Sequence, residues 1–110
     1  MSLRDMNCTF SPAALDAPDV ASLLAELDGW AISGARLERR FALRDYHETI
    51  AFVNALAWMT HQQDHHPDLL VTYNSCTVSY CTHSAGGSLT NNDFICAAKA
   101  DALYAQRAGA

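Results

Sequence analysis

Apolar residues recur at the spacing of an amphipathic helix in three stretches of the chain. Asp16 stands before the first stretch as a helix-capping residue, and Gly29 stands after it as a stop signal. Asp45 and Thr90 stand before the other two, each with an acidic residue three positions later, which is the spacing of a capping box. The pattern predicts three helices, at about residues 18–28, 46–62 and 91–107.

Two pairs of short segments between these helices have the pattern of β-strands. Residues 30–32 and 37–43 flank a Ser-Gly break and predict a first hairpin. Residues 69–73 and 76–82 are rich in β-branched and aromatic residues, and they flank a turn-prone Asn-Ser pair. Two hairpins joined through a helix favour an α+β two-layer sandwich of order α-β-β-α-β-β-α, in which three helices cover one face of a four-stranded antiparallel sheet.

Length and composition favour one globular domain that spans residues 1–110. Half of the 110 residues are hydrophobic and 17% are charged, as in an ordinary globular domain. The four cysteines form no Cys-x-x-Cys pair, which argues against a zinc ribbon or a thioredoxin-type motif. We expect these thiols to be reduced and half-buried.

Charge and hydropathy argue against two classes of partner. Seven Lys and Arg against twelve Asp and Glu give a formal net charge of −5, and the basic residues form no cluster beyond Arg39-Arg40, so direct binding to nucleic acid is not expected. No apolar run approaches the roughly 18 residues that span a bilayer, and the N-terminus lacks the pattern of a signal peptide. We therefore expect a soluble, cytoplasmic protein.

Three of the five histidines, His61, His65 and His66, lie within six residues. Asp64 lies beside them, and Pro67 places the last two histidines at a corner between a helix and a strand. Imidazole gains and loses protons near neutral pH, and a neighbouring carboxylate suits it to proton transfer. The cluster therefore indicates acid–base chemistry, although its polarity is equally typical of surface histidines at a helix end.

A metal site is a second interpretation of the cluster. His61 and His65 have the i, i+4 spacing that puts two imidazoles on one helix face, and His66 or Asp64 can supply a third ligand. This interpretation requires the helix to continue to His65 despite Pro67. No distant Cys/His pair with ligand spacing completes the set, so we expect no metal.

A series of short motifs follows in the second half of the chain: Asp64-His65-His66-Pro67, Tyr73-Asn74, Thr82-His83, Gly87, and Leu89-Thr90 ahead of Asp93. In this order, and over about residues 61–97, the motifs resemble the pterin-4a-carbinolamine dehydratase family. A His-His-Pro corner followed at this distance by Tyr-Asn and by Thr-His is much more specific than any one piece. The predicted order of helices and strands also agrees with that family's fold.

The resemblance implies an enzyme that removes water from a 4a-hydroxytetrahydropterin and releases a quinonoid dihydropterin. Aromatic amino-acid hydroxylases release that substrate, so a hydroxylase is the implied functional partner and tetrahydropterin recycling the implied role. Loss of the 4a-hydroxyl needs an acid for the leaving oxygen and a base for the N5 proton. Histidines can fill both roles without a metal or a cofactor.

By position, His65, His66 and His83 match the family's active-site histidines. The resemblance implies proton transfer by His65 and His83 and positioning of the pterin by His66, without deciding which histidine is the acid. Asp64 matches the family's carboxylate beside the pair, and main-chain groups of residues 82–85 are implied to bond the edge of the pterin ring. The residues implied to contact substrate are Asp64, Pro67, Thr82, Ser84 and Ala85.

Two positions depart from the family pattern. His61 stands where the family usually carries a glutamate, four residues before the first histidine, and Leu69-Leu70 stand where an aromatic residue commonly follows the proline. The first change removes a negative charge, and we expect His61 to act on the histidine pair through its own charge. The second change thins the pocket wall. Both leave the active-site histidines in place.

The resemblance also carries an alternative from another functional class. In animal members the same fold serves as a dimerisation cofactor of a homeodomain transcription factor, so a non-catalytic binding module is the chief alternative to an enzyme. A structural domain with an incidental histidine cluster is a third interpretation. Family members form dimers through the sheet and tetramers through helices, which implies that this chain self-associates as a homodimer or homotetramer.

Overall fold

Residues 2–107 are described in this computed structural model and form three α-helices and a four-stranded antiparallel sheet. In chain order the elements are a 3₁₀ helix (Leu3–Asp5), α1 (Ala17–Leu24), β1 (Ala31–Ser33), β2 (Arg36–Ala42), α2 (Tyr46–Gln63), β3 (Asp68–Val71), β4 (Ser75–Tyr80), a second 3₁₀ helix (His83–Ala85) and α3 (Asn91–Ala105). The α-helices and strands follow the predicted order α-β-β-α-β-β-α, so the α+β fold class is confirmed. No helix within residues 2–107 is both long and apolar enough to cross a membrane.

The sheet has the strand order β1-β2-β4-β3, with β2 and β4 at its centre. Leu37 lies opposite Tyr80, and Phe41 lies opposite Cys76, across this central pair. All four side chains are buried, because alternate residues of both strands point to the same face of the sheet. Edge strand β3 is exposed along its whole length.

Helices α2 and α3 pack on the apolar face of the sheet and complete the core. The ring of Phe41 lies at the centre of an aromatic cluster. Its centroid is 4.8 Å from that of Phe52 in α2, 4.9 Å from that of Tyr104 in α3 and 5.9 Å from that of Trp30. Such pairs add directional stabilisation to the apolar area that they bury. Helices α2 and α3 are therefore fixed to the sheet and to each other.

Helix α1 ends at Leu24 rather than at about residue 28. The N–H groups of Glu26 and Leu27 donate to carbonyls three residues back, so the chain leaves the helix in a tighter, 3₁₀-type turn. Gly29 follows with φ of +84°, a conformation that favours glycine, and leads into β1. The predicted cap is confirmed, because the Asp16 side chain accepts a backbone N–H of the first turn.

Both predicted hairpins are present, with their ends shifted. Strand β3 ends at Val71 because the N–H of Thr72 donates to the carbonyl of Ser75 and closes the turn early. Strand β4 consequently starts at Ser75 and ends at Tyr80. His83 lies beyond the end of that strand, in the second 3₁₀ helix.

Candidate active site

The end of α2 delivers His65 to the protein interior. The helix ends at Gln63, and Asp64 takes the left-handed conformation with φ of 52°, which turns the chain sharply. Only 8% of His65 is exposed, whereas the adjacent His66 is exposed. The corner was predicted but the burial of His65 was not, because the polarity of the segment indicated a surface position.

The start of α3 supplies a buried carboxylate to the same place. The predicted capping box is confirmed: the N–H of Asn92 donates to the Thr90 hydroxyl at 3.2 Å, and the N–H of Thr90 donates to Asp93 Oδ2 at 2.9 Å. Asp93 is 0% exposed. Its negative charge lies in the first turn of α3, where the helix dipole favours it.

Asp93 also holds the imidazole of His65. Asp93 Oδ1 lies 2.6 Å from His65 Nε2, and Asp93 Oδ2 accepts a second hydrogen bond from the Thr82 hydroxyl at 2.8 Å. The Thr90 hydroxyl lies 2.8 Å from that of Thr82. An ionised carboxylate can only accept hydrogen bonds, so when His65 is neutral its ring hydrogen lies on Nε2 and its lone pair on Nδ1. Nε2 therefore anchors the ring, and Nδ1 is the nitrogen that can accept a proton.

The ring of Tyr80, the last residue of β4, packs against the imidazole of His65. The two rings are parallel to within 9°, and their centroids are 5.7 Å apart. The Tyr80 hydroxyl is buried without a hydrogen-bond partner among residues 2–107. Burial, followed by the neighbouring Cys96 and Cys8 thiols, raises the pKa of Tyr80 well above its usual value, so the phenol stays neutral. No pattern in the sequence indicates that Tyr80 stacks on a site residue.

A cavity of about 370 Å³ adjoins this pair, a volume within the range of small-molecule sites. Residues 63–65 at the end of α2 form one side of it, and residues 8–12 form another. Thr82, Ser84 and Asn92 complete the lining. The cavity is thus large enough for a small bicyclic ligand and has the histidine–carboxylate pair in its wall.

The cavity brings together part of the predicted site. Asp64, His65, Thr82 and Ser84 line it. Of the described residues, the predicted ones that lie outside this lining are His61, His66, Pro67, His83 and Ala85. His66 and His83 are exposed and adjoin lining residues along the chain, so they can meet a ligand that extends out of the cavity.

The carboxylate that contacts His65 belongs to Asp93, 28 residues away in the sequence. Asp64, which the resemblance places beside the histidine pair, is exposed and lines the cavity. Asp93 was noted as part of a motif and as a helix cap, but it was not assigned to the site. Its side chain performs both tasks because each oxygen has different partners.

His61 and His65 do not share a helix face. Helix α2 ends at Gln63, so the i, i+4 geometry that the metal interpretation requires is not formed. His61 is exposed, and Nε2 of His65 is engaged by Asp93. Within residues 2–107, no group of three or more His, Cys, Asp and Glu side chains is arranged to hold a metal ion.

Residues 8–12, called the strap below, form a wall of the cavity that the sequence did not reveal. The N–H of Thr9 donates to Asn92 Oδ1 at 3.0 Å, and Asn92 Nδ2 donates to the Thr9 carbonyl at 2.9 Å. The N–H of Cys8 donates to Gln63 Oε1 at 2.8 Å. The strap has no helical or strand periodicity and precedes the recognised motifs, so no pattern pointed to it. Its attachment depends on two side chains far along the chain.

A second cavity, of about 310 Å³, lies between the first half of α2 and the end of α3. Phe52, Leu103 and Arg107 are among its lining residues, and none of the predicted site residues within the described chain lines it. The charged groups there are engaged with one another, since Arg107 and Arg44 both lie within ion-pair distance of Glu48. The cavity beside His65 is therefore the stronger candidate for a reaction site.

The fold and the site define a small α+β protein with a buried histidine–carboxylate pair in the wall of a cavity. The sequence profile of the family described as "Pterin 4 alpha carbinolamine dehydratase" matches residues 13–103. A Chromobacterium violaceum protein is 49% identical over 106 residues, which cover 94% of this chain and 97% of that protein. A Nitrosospira multiformis protein is 46% identical over 97 residues, or 88% of this chain and 85% of that protein. Both carry the name "Putative pterin-4-alpha-carbinolamine dehydratase".

Two solved structures share the fold. One, from Brucella melitensis, is described as a transcriptional coactivator/pterin dehydratase; it has a TM-score of 0.78 and 28% identity, and the match covers 83% of this chain and 98% of that one. The other is described as a pterin dehydratase-like protein that is a RuBisCO assembly factor in the alpha-carboxysome; it has a TM-score of 0.56 and 25% identity, over 68% of this chain and 86% of that one. The chain belongs to the pterin-4a-carbinolamine dehydratase family.

Proposed function

We propose that this protein is a dehydratase that removes water from a 4a-hydroxytetrahydropterin and yields quinonoid dihydropterin, with histidines as the acid and the base. Family membership supports the substrate class. The observation that carries the mechanism is the hydrogen bond of 2.6 Å between His65 and the buried Asp93, beside a cavity of about 370 Å³. It fixes one ring nitrogen and frees the other for proton transfer.

The reaction breaks the bond between C4a and its hydroxyl oxygen and removes the proton on N5. One histidine gives a proton to the leaving oxygen, which departs as water, and another accepts the N5 proton as the C=N bond forms. His65, through Nδ1, and His83 are the proposed pair. One proton is given and one is taken, so the total number of protons on the two histidines is unchanged after a turnover. Proton exchange with solvent then returns each histidine to its starting state.

The proposed contacts to the pterin divide between the cavity and its rim. Asp64 and Ser84 face the ligand from the lining, and His66 and Pro67 from the corner after α2. The main-chain groups of Thr82 and the N–H of Ala85 are already used within the loop. We therefore assign the contact with the ring edge to the N–H groups of His83 and Ser84, while Thr82 acts by holding Asp93.

The physiological setting follows from the same proposal. The substrate arises from an aromatic amino-acid hydroxylase, so the protein would serve tetrahydropterin recycling as that enzyme's functional partner. The cytoplasm is the proposed compartment, because its reducing conditions maintain free thiols such as the four cysteines found here. Self-association into a homodimer or homotetramer is supported by edge strand β3, whose Leu70 is 64% exposed.

A coupled assay tests the proposal. An aromatic amino-acid hydroxylase generates the carbinolamine in place, and the appearance of quinonoid dihydropterin is followed with and without the purified protein. The expected result is acceleration that scales with protein concentration and is lost in His65→Ala. Equal rates with and without the wild-type protein would overturn the proposal.

A non-catalytic binding module is the second candidate function. The descriptions of the two solved relatives, a coactivator/pterin dehydratase and a RuBisCO assembly factor, favour it. The same assay discriminates, because a binding module gives no acceleration. Retention of a bound protein partner by His65→Ala, together with no dehydration by the wild type, would establish this alternative.

A further inference from the structure

Two free cysteines meet at the wall of the cavity, one from the strap and one from α3. Cys8 Sγ and Cys96 Sγ are 3.5 Å apart, although the residues are 88 positions apart in the sequence. Cys8 is half-buried and lines the cavity, whereas Cys96 is completely buried. The pair thus joins a cysteine at the cavity wall to one that is completely buried.

The surroundings make the two thiols unequal. The hydrogen bond from the Cys96 thiol lowers the pKa of Cys8, against the effects of burial and of Asp93. The charge of Lys99 and, when its ring is protonated, that of His65 lower the pKa of Cys8 further. The same hydrogen bond, burial and the negative charges of Cys8 and Asp93 raise the pKa of Cys96. Cys8 therefore ionises first, while Cys96 stays protonated as the donor.

We propose that Cys8 and Cys96 form a peroxide-reactive dithiol, in which Cys8 attacks the oxidant and Cys96 closes the disulfide. The Cys8 thiolate attacks one oxygen of hydrogen peroxide, the O–O bond breaks, and the leaving hydroxide takes up a proton as water. The product at Cys8 is a sulfenic acid. The sulfenic acid no longer carries the negative charge of Cys8 that raised the pKa of Cys96 and held its proton, so Cys96 can release that proton to solvent. The Cys96 thiolate then attacks the Cys8 sulfur, the S–O bond breaks, and the leaving hydroxide takes up a proton as a second water. Two thiols and one peroxide thus become one disulfide and two waters.

The geometry permits the second step with a small movement. A disulfide places its sulfurs about 2.05 Å apart, so the two atoms must approach by about 1.5 Å. Helix α3 is packed in the core, but the strap is attached by the hydrogen bonds of Cys8 and Thr9 to Gln63 and Asn92. The strap is therefore the part that moves, and the disulfide would join it covalently to α3 beside the cavity.

The other two cysteines provide matched internal controls. Cys76 is completely buried in β4, and burial raises its pKa to about 11, so it has little thiolate to react. Cys81 is buried and accepts a hydrogen bond from the Arg36 guanidinium at 3.4 Å. Neither contributes to the cavity lining within residues 2–107. If peroxide oxidised every thiol equally, Cys76 and Cys81 would be oxidised as readily as Cys8 and Cys96.

The test is peptide mapping of the folded, full-length wild type after treatment with hydrogen peroxide, under non-reducing conditions. The expected product is a peptide pair linked through Cys8 and Cys96, which a dithiol reductant separates. The rate of its formation should reach half its maximum below the pH of about 8.5 at which an unperturbed thiol is half ionised. Exclusive linkage through other cysteines, or unmodified Cys8 when peroxide has oxidised another thiol, would overturn the proposal.

Variants resolve the two steps. In Cys96→Ala, peroxide should leave a sulfenic acid on Cys8, which a cyclic 1,3-diketone traps; in Cys8→Ser, neither the trapped adduct nor the linked peptide should form. Cys76→Ser and Cys81→Ser should retain the linked peptide. Each variant is first compared with the wild type by circular dichroism, and the wild-type mapping decides the question even where a core variant does not fold. The inference is independent of the dehydratase proposal.

Discussion

The inner and outer halves of the candidate site differ in how firmly the fold holds them. The inner half comprises four buried side chains: His65, Thr82, Thr90 and Asp93. They are linked by hydrogen bonds of 2.6–2.8 Å. The outer half comprises three exposed side chains: His66, His83 and Ser84. The inner half is organised before any ligand arrives, whereas the outer half can adjust to one.

The difference shows where folding and chemistry share the same atoms. Asp93 caps α3 and also anchors His65, so a change there affects stability and the proposed reaction together. His66 and His83 are exposed and contribute little to the packed interior. Changes there should therefore affect only ligand binding and proton transfer. Stability and turnover, measured side by side, therefore separate the two halves.

The largest expected effect is the loss of a proton-transferring histidine. His65→Ala and His83→Ala should each lower turnover about 10²-fold or more, the usual scale of a general acid or base. Only His65→Ala should also lower the free energy of unfolding, by about 1–3 kcal/mol, because it leaves a buried carboxylate with one partner fewer. The coupled assay and urea denaturation measure the two quantities.

His47→Ala is the matched control for these two variants, because His47 is exposed in the first turn of α2 and outside the cavity beside His65. It should leave turnover and stability unchanged. Wild-type turnover in both His65→Ala and His83→Ala would show that the proposed roles are wrong. An equal loss of stability in both would remove the distinction between the inner and outer halves.

The next largest effect is expected at the carboxylates. In Asp93→Asn the amide keeps the shape of the side chain, but only its oxygen can accept a hydrogen bond, so it can no longer accept from both His65 and Thr82. The imidazole then loses its fixed tautomer, so turnover should fall roughly tenfold to 10²-fold, with a loss of about 1–3 kcal/mol in stability. Asp64→Asn is the control, since asparagine tolerates the left-handed backbone found there.

Asp64→Asn should leave stability within about 0.5 kcal/mol of the wild type, as for most exposed positions. Its effect on the reaction should appear in KM rather than kcat, because Asp64 is proposed to contact the pterin. If the two variants instead lose equal stability, the buried network does not hold Asp93 in the way that its hydrogen bonds indicate.

Local signals explain what the sequence predicted well. The caps of the three helices depend on residues within one turn, so Asp16, Asp45 and the Thr90–Asp93 box were readable from spacing alone. The end of α2 was equally local, since Pro67 constrains the residue before it. The α+β order followed from these boundaries together with the strand patterns.

Contacts between distant segments explain what the sequence did not show. The pairing of His65 with Asp93, the stacking of Tyr80 and the position of Cys8 beside Cys96 all depend on how α2, β4, α3 and the strap pack together. No periodicity along the chain encodes such contacts. The resemblance named most of the proposed site residues, but it covered neither the strap nor the structural reason for Asp93.

A smaller effect is expected at His61, the departure from the family's glutamate. His61 is exposed in the last turn of α2, four residues before His65. In His61→Glu the new carboxylate favours nearby imidazolium, so the pH–rate profile should shift towards higher pH while maximal turnover is kept or improved. His61→Gln, which adds no charge, is the control. An unmoved profile in His61→Glu would mean that His61 has no electrostatic influence on the pair, and abolished activity would give it a direct role.

The smallest effect, none at all, is expected from removing divalent metal ions. A metal ion shared by His66 and His83 would make the outer half as firmly fixed as the inner half, and it would erase the contrast between them. The proposed chemistry has no need of it, because two imidazoles carry both protons, and the end of α2 at Gln63 separates His61 from His65. Dialysis against a chelator should leave turnover and the urea midpoint unchanged, with metal content followed by elemental analysis. A stoichiometric metal whose removal abolishes activity, and whose return restores it, would falsify the purely proton-based mechanism and place its ligands among the exposed histidines.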